Sequence, residues 1–174
     1  GNYANGDTIH IWSKQADGKV FTHWSGDVQY LESPNEYHSR VFMPNKNIIV
    51  TANYVTLDAA MKLNQVSIRG AKQNKSVYLY LPAKNKLKAV VWIFHGTGGN
   101  ALSMTSNIET KQFIDLMMTK NYGIVAITSE ESQDQKDYDN NGEIQWSYGF
   151  DSTLVDFANI RAIRDSLIGR NLID

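Results

Sequence analysis

Residue types and spacing point most directly to chemistry in the string Phe94-His95-Gly96-Thr97-Gly98-Gly99-Asn100. Its glycines let backbone N–H groups approach a bound oxygen with no Cβ in the way. Two chemistries compete for such a loop. One is an oxyanion hole for acyl transfer; the other is a phosphate cradle, because Gly96-x-Gly98-x-x-Ala101 formally satisfies the dinucleotide fingerprint. The nucleotide reading asks for a loop after the first strand, a helix opening at once, and an acid about 20 residues on. Here two strands come earlier, the helix signal waits until Ser106, and the first acid at a following strand end is Glu130. The plainest reading is a glycine turn that ends a strand.

Two further strings imitate functional motifs. Gln145-Trp146-Ser147-Tyr148-Gly149 approaches a Gly-x-Ser-x-Gly nucleophile elbow, but Gln145 replaces the first glycine, and polar Asp139-Asn140-Asn141-Gly142-Glu143 stands where an apolar strand is needed. Ser147 therefore reads as a loop serine. Asp137-x-Asp139-x-Asn141-Gly142-x-Ile144 fits the first eight positions of a calcium loop, yet position twelve is Tyr148 rather than a bidentate acid. A solvated Asx turn is the simpler account. His10, His23 and His38 occupy different strands without metal-ligand spacing, and the chain has no cysteine. No metal and no cofactor are expected.

The elements that must position the loop follow from periodicity. Thr8 to Trp12, Val20 to Trp24, Arg40 to Met43 and Ile48 to Tyr54 alternate as strands, punctuated by Asn5-Gly6, Asp17-Gly18, Ser33-Pro34-Asn35 and Pro44-Asn45. This segment reads as all-β. From about Leu63 the chain is mixed, with strands at Gln65 to Arg69 and Ser76 to Leu81. The apolar run Ala89-Val90-Val91-Trp92-Ile93-Phe94 reads as a central strand covered on both faces. Ser106 and Glu109 have capping-box form and predict a helix to about Lys120. Ile124 to Ile127 is a second buried strand, and Thr153 with Asp156 caps a helix that turns Phe157, Ile160, Ile163 and Leu167 inward. Strand, helix, strand, helix predicts a parallel α/β sheet with right-handed crossovers.

Composition narrows the partners. With 174 residues, 17 basic and 18 acidic side chains and a formal net charge of -1, the chain has no basic field for a polyanion. No apolar run reaches the length of a membrane span. Neither a nucleic acid nor a membrane span is expected.

Two resemblances sharpen this. Gly1-x-Tyr3-x-x-Gly6-Asp7-x-Ile9, Phe21-x-x-Trp24-Ser25-Gly26-Asp27, Phe42-Met43-Pro44 and Ile48-x-Val50-Thr51-Ala52-Asn53-Tyr54 together resemble one internalin B-type (Listeria-Bacteroides) repeat. The resemblance implies a bacterial protein, secreted or at the cell surface, and a module without chemistry of its own. Leu81-Pro82, Val90 to Ala101, Tyr122-Gly123-Ile124-Val125-Ala126 and Gln145-Trp146 resemble the N-terminal half of an α/β-hydrolase, in the polyhydroxybutyrate-depolymerase and feruloyl-esterase-like branch.

The expected fold class is therefore α/β, a partial α/β-hydrolase sheet with flanking helices preceded by a small all-β repeat module. The expected boundaries are 1–55 for the repeat, 56–62 for a linker and 63–174 for the hydrolase portion. By the same resemblance Thr97 supplies an oxyanion-hole backbone N–H, His95, Gly96, Gly98 and Gly99 support the loop, and Glu130 and Trp146 line the substrate cleft. The implied activity is serine esterase chemistry on a polysaccharide- or polyester-linked ester.

The alternative is a non-catalytic adhesion or carbohydrate-binding protein with a degenerate hydrolase scaffold. No Gly-x-Ser-x-Gly occurs in the sequence. The resemblance thus places the nucleophile, acid and histidine in a further hydrolase half, without which the chain is expected to be inactive and its strand at Ala89 to Phe94 to be an open edge. Reading the coding sequence onward from Asp174 tests this: the elbow is expected within about 20 residues, and its absence counts against the esterase reading.

Overall fold

The computed structural model describes residues 1–14, 18–147 and 155–174. Asp17, Tyr148, Gly149 and Thr153, which entered the motif readings above, lie outside the described residues. The chain divides into two compact units, Gly1–Ala60 and Met61–Asp174.

In the first unit, turn-forming residues separate four strands: β1 (Thr8–Trp12), β2 (Lys19–Gly26), β3 (His38–Phe42) and β4 (Val50–Thr56). They make two antiparallel pairs that interleave along the chain, β1 with β3 and β2 with β4. Alternation, with a register shift between Phe21 and His23 that brings Phe21 and Trp24 to one face, then sorts the side chains. Val41 of β3 and Phe21 and Trp24 of β2 are buried with Leu31 in one apolar cluster. Phe21 and Trp24 meet at 5.4 Å, and the Trp24 indole N–H donates to the Glu36 carbonyl at 2.9 Å, so this large ring is buried with its one polar group satisfied.

The second unit contains β5 (Asn64–Arg69), β6 (Asn74–Tyr80), β7 (Val90–Phe94), α1 (Ala101–Ser106), α2 (Ile108–Thr119), β8 (Gly123–Ile127), α3 (Glu130–Asp134) and α4 (Val155–Gly169). The strands form one sheet in the order β5-β6-β8-β7. Every residue of β8 is buried. Its Val125 and Ile127 share a core with Ile68, Val77 and the α4 residues Ile163 and Leu167. The alternate residues Ile124 and Ala126 face the other side of the pleat, and α2 also packs on β8 with Ile114 and Met118 buried.

This corrects the expected fold class. The protein is mostly β, three small sheets of two, two and four strands with few helices, and no extended α/β-hydrolase sheet is present among the described residues. The expected parallel sheet is reduced to one parallel pair, β7 with β8; the β5–β6 and β6–β8 pairings are antiparallel. The cause is local. The four residues 70–73 between β5 and β6 close with a Gly70 N–H to Gln73 carbonyl bond of 2.9 Å, and so short a link can join only antiparallel neighbours.

Three finer expectations also change. The central, fully buried strand is β8 and not β7, which lies at the sheet edge with Phe94 exposed. The helix after the glycine loop begins at Ala101 rather than Ser106, because Asn100 caps it. The Asn100 side chain accepts from the Ser103 N–H at 2.8 Å, and the Ser103 hydroxyl accepts from the Asn100 N–H at 3.1 Å. Asn107 then ends α1 and caps α2. On α4, Phe157 is half exposed while Asp156 and Asn159 are buried, so the inward stripe runs Asp156-Asn159-Ile163-Leu167 and its first half is polar.

A unit of about 60 residues is marginally stable, and truncating a buried tryptophan costs roughly 3–5 kcal/mol. Trp24→Ala is therefore expected to unfold the first unit, seen as collapse of the dispersed amide resonances of residues 1–60. Retained dispersion would contradict the assigned core.

Candidate functional site

The C-terminal end of β7 delivers His95 into a buried position, where both ring nitrogens are engaged. The Ser129 N–H can only donate, so His95 Nε2 accepts it at 3.0 Å. Nδ1 therefore carries the proton and gives it to the Gly96 carbonyl at 2.7 Å. This ring braces the loop and has no lone pair left for proton transfer. Its own carbonyl accepts from the Trp146 indole N–H at 2.8 Å, and the Trp146 ring rests against His95 at 4.8 Å and edge-on to Phe94 at 5.2 Å.

The loop is tied at each glycine. Gly99 N–H closes a turn onto the Gly96 carbonyl at 3.0 Å, and Gly98 N–H donates to the Ile144 carbonyl at 2.8 Å. Gly98 has φ +70, a left-handed conformation that side chains disfavour. The Ala101 N–H reaches the Thr128 hydroxyl at 3.0 Å. Between these tethers Thr97 is exposed, and its N–H has no partner among the described residues. The arrangement leaves the Thr97 backbone donor available on a loop that is held through the Gly98, Gly99 and Ala101 N–H groups.

Two buried carboxylates hold the polar segment 136–147 over this loop. Glu131 accepts from the Tyr138 and Gln145 N–H groups at 2.9 and 3.0 Å. Asp156 accepts from the Glu130 N–H at 2.8 Å, the Ser147 N–H at 2.7 Å and the Ser147 hydroxyl at 2.9 Å. Ser147 is thus committed to an acid, and its hydroxyl makes no hydrogen bond to an imidazole among the described residues. Phe94, Trp146, Ser147, Asp156, Phe157 and Ile160 line a pocket of about 250 Å³ whose wall is almost wholly apolar.

Trp146 and the loop 95–99 are brought together; Glu130 is set apart from them. It is 3% exposed, and its carboxylate receives Lys75 Nζ at 2.9 Å, Asn159 Nδ2 at 2.9 Å and Gln73 Nε2 at 3.1 Å. Burial pushes the Glu130 carboxyl up, and the combined pull of Lys75, then Asn159 and Gln73, outweighs it and holds the group below its ordinary value. The anchoring roles of Glu131 and Asp156 escape sequence reasoning, since acids in the first turn of a helix are common for dipole reasons alone.

Asp137, Asp139 and Glu131 bring carboxylate oxygens within 4.8 Å of one another. The segment is organised internally: the Gly142 N–H, 2.8 Å away, holds the Asp137 carboxyl below its ordinary value.

Comparison with known proteins bears on the first unit. Residues 1–57 match the divergent InlB B-repeat domain family. This is the N-terminal repeat expected from the spaced glycine and aromatic motifs, and repeats of this kind are typical of bacterial surface proteins. No curated protein and no solved structure matches the chain, and these comparisons give no support to the hydrolase resemblance of residues 63–174. No helix among the described residues is long and apolar enough to cross a membrane.

Breaking a buried pair from one side leaves an uncompensated charge, worth about 3–5 kcal/mol. Glu130→Gln is therefore expected to lower the stability of the second unit by that amount at neutral pH in urea denaturation. A carboxyl with a depressed folded pKa stabilises the fold fully above its unfolded value. For Glu130 that contribution falls away as pH drops from the ordinary 4.5 through the lower folded value. The acid limb of the stability curve is expected to flatten in Glu130→Gln; an unchanged limb would remove Glu130 as its source.

Proposed function

We propose that this chain is part of a secreted or surface-located bacterial serine esterase, in which the loop after β7 stabilises the tetrahedral oxyanion during acyl transfer. The observation that carries the reading is the Thr97 N–H, exposed and unpartnered among the described residues, while the Gly98 N–H is spent on the Ile144 carbonyl and the Gly99 N–H on the Gly96 carbonyl. A donor held in place beforehand costs no reorganisation when charge develops on the carbonyl oxygen, which is the source of its catalytic value. The reading concerns the chemistry of this loop and does not rest on the sheet.

In this scheme a serine, histidine and acid supplied from outside these 174 residues form and hydrolyse the acyl-enzyme. His95 holds the loop through Ser129 and Gly96, and Trp146 with the adjoining apolar pocket offers a surface for the acyl or alcohol part of the ester. The chemistry needs no cofactor. The substrate class is an ester linked to a polysaccharide or polyester.

A second reading, a non-catalytic adhesion or carbohydrate-binding protein, is favoured by one observation in the first unit. Trp12 is 60% exposed and Phe42 is 48% exposed on one sheet face, the kind of aromatic platform on which sugar rings stack.

The full-length gene product, assayed on p-nitrophenyl acetate, separates the two. Thr97→Pro deletes the N–H and is expected to lower kcat by on the order of a hundredfold or more, while Thr97→Ala, which keeps it, stays near the parent rate. An inactive full-length product, or a Thr97→Pro enzyme of parental kcat, would overturn the esterase reading and favour the binding one.

A further inference from the structure

His10 and His38 stand 28 positions apart in sequence, and the pairing of β1 with β3 brings them together. In that register His10 lies opposite Arg40 and Trp12 opposite His38. Alternation puts His10, Trp12, His38, Arg40 and Phe42 on the outer face, while Ile9, Ile11, Ser39 and Val41 turn inward. His10 Nδ1 is 2.8 Å from His38 Nε2, with the ring planes 9° apart and their centroids separated by 5.1 Å. Nitrogens this close in nearly parallel rings with well-separated centroids mean that the rings meet edge to edge. One nitrogen carries a proton and the other accepts it.

Trp12 stacks on His38 with centroids at 4.7 Å and planes 21° apart, restricting that ring. The adjacent Arg40 charge is balanced by Glu32, whose carboxylate takes the Arg40 Nε–H at 2.7 Å. The Arg40 hydrogen bond holds the Glu32 carboxyl below its ordinary value.

We propose that His10 and His38 form a surface site for an imidazole-preferring transition-metal dication, Cu²⁺ or Zn²⁺, bound through His10 Nδ1 and His38 Nε2. The ion takes the place of the shared proton. In the neutral pair that proton moves to the other nitrogen of its own ring, so both facing nitrogens present lone pairs and no net charge is lost. At metal–nitrogen distances of about 2.0–2.1 Å the two nitrogens must separate by a fraction of an ångström and the rings must turn so that their lone pairs converge on the ion, a movement for which the exposed His10 has more freedom than the half-buried His38. Water completes the coordination shell. His23 is a natural internal control, since its Nδ1 is engaged with Thr22 on β2, in the other sheet.

The test is titration of the untagged chain with CuCl₂, ZnCl₂ and CaCl₂, followed by calorimetry and tryptophan fluorescence, with circular dichroism verifying the fold of each variant. One equivalent of Cu²⁺ is expected to bind, Zn²⁺ more weakly, and Ca²⁺ not at all, because imidazole suits the first two and the hard cation prefers oxygen. His10→Ala and His38→Ala should each weaken Cu²⁺ binding more than about tenfold, with His23→Ala unchanged. Trp12→Phe should keep the affinity and lose much of the Cu²⁺ quenching. Absence of saturable Cu²⁺ binding, or parental affinity in both His10→Ala and His38→Ala, would overturn the site.

Discussion

The side chain of Lys75 has no exposed surface, and its ammonium lies 2.9 Å from the carboxylate of Glu130, whose side chain is 4% exposed. Two charges removed from water this completely persist only if the remaining hydrogen-bonding capacity is also met. Asn159 and Gln73 meet it for Glu130, and Asn159 turns its carbonyl oxygen to the Ala71 N–H at 2.8 Å. Through these few groups the strand β6, the turn before it, the short helix α3 and the long helix α4 are fixed to one another. Gly70 belongs to the same constraint: a Cβ there would lie 2.6 Å from the Asn159 side-chain oxygen and 2.8 Å from the Lys75 Cγ. The candidate loop depends on this frame at one remove. Ser129, which donates to His95, caps the helix that carries Glu130 and Glu131, and Asp156 on α4 accepts from both Glu130 and Ser147.

Strand positions were legible because alternation and turn chemistry are local properties. Thr8–Trp12 agrees with its sequence reading, and β5 and β8 differ from theirs by one residue. Pairing was not legible, since nothing local in Thr8–Trp12 says that its partner is His38–Phe42 and not the next strand. The class reading failed for a related reason. Alternating strand and helix patterns suggest parallel order, while the decisive fact, a link of only four residues between β5 and β6, sits in the turn. Apolar content also misled: the run at Ala89 to Phe94 is richer in large residues than Gly123 to Ile127, yet the smaller residues of β8 are the ones that fit between two neighbouring strands and two packed helices.

At the candidate site the glycine loop was visible from composition; Trp146 entered only through the hydrolase resemblance, and its contact with His95 is a finding of the structure. Glu130 was placed by its position after a strand, which is also where a buried framework acid sits; the partner that decides between the two, Lys75, is 55 residues away. The helix start at Ala101 shows how a single cap changes a reading. Asn100 with Ser103 does what serine with glutamate does elsewhere, and it removes one of the three arguments against a phosphate cradle. The others stand: β7 follows two earlier strands of its sheet, and Glu130 is committed to Lys75.

The interleaved order of the first unit also governs how it comes into being. Neither of its sheets is a hairpin; β2 falls in sequence between β1 and β3, and β3 between β2 and β4. No strand meets its partner until a third has been synthesised between them, and a lone pair of short strands is marginal in water. Each closure therefore spends loop entropy before the shared apolar cluster repays it. Emerging from a ribosome, the repeat has nothing to gain from partial pairing, and it is expected to form late and all at once, when Val50–Thr56 arrives.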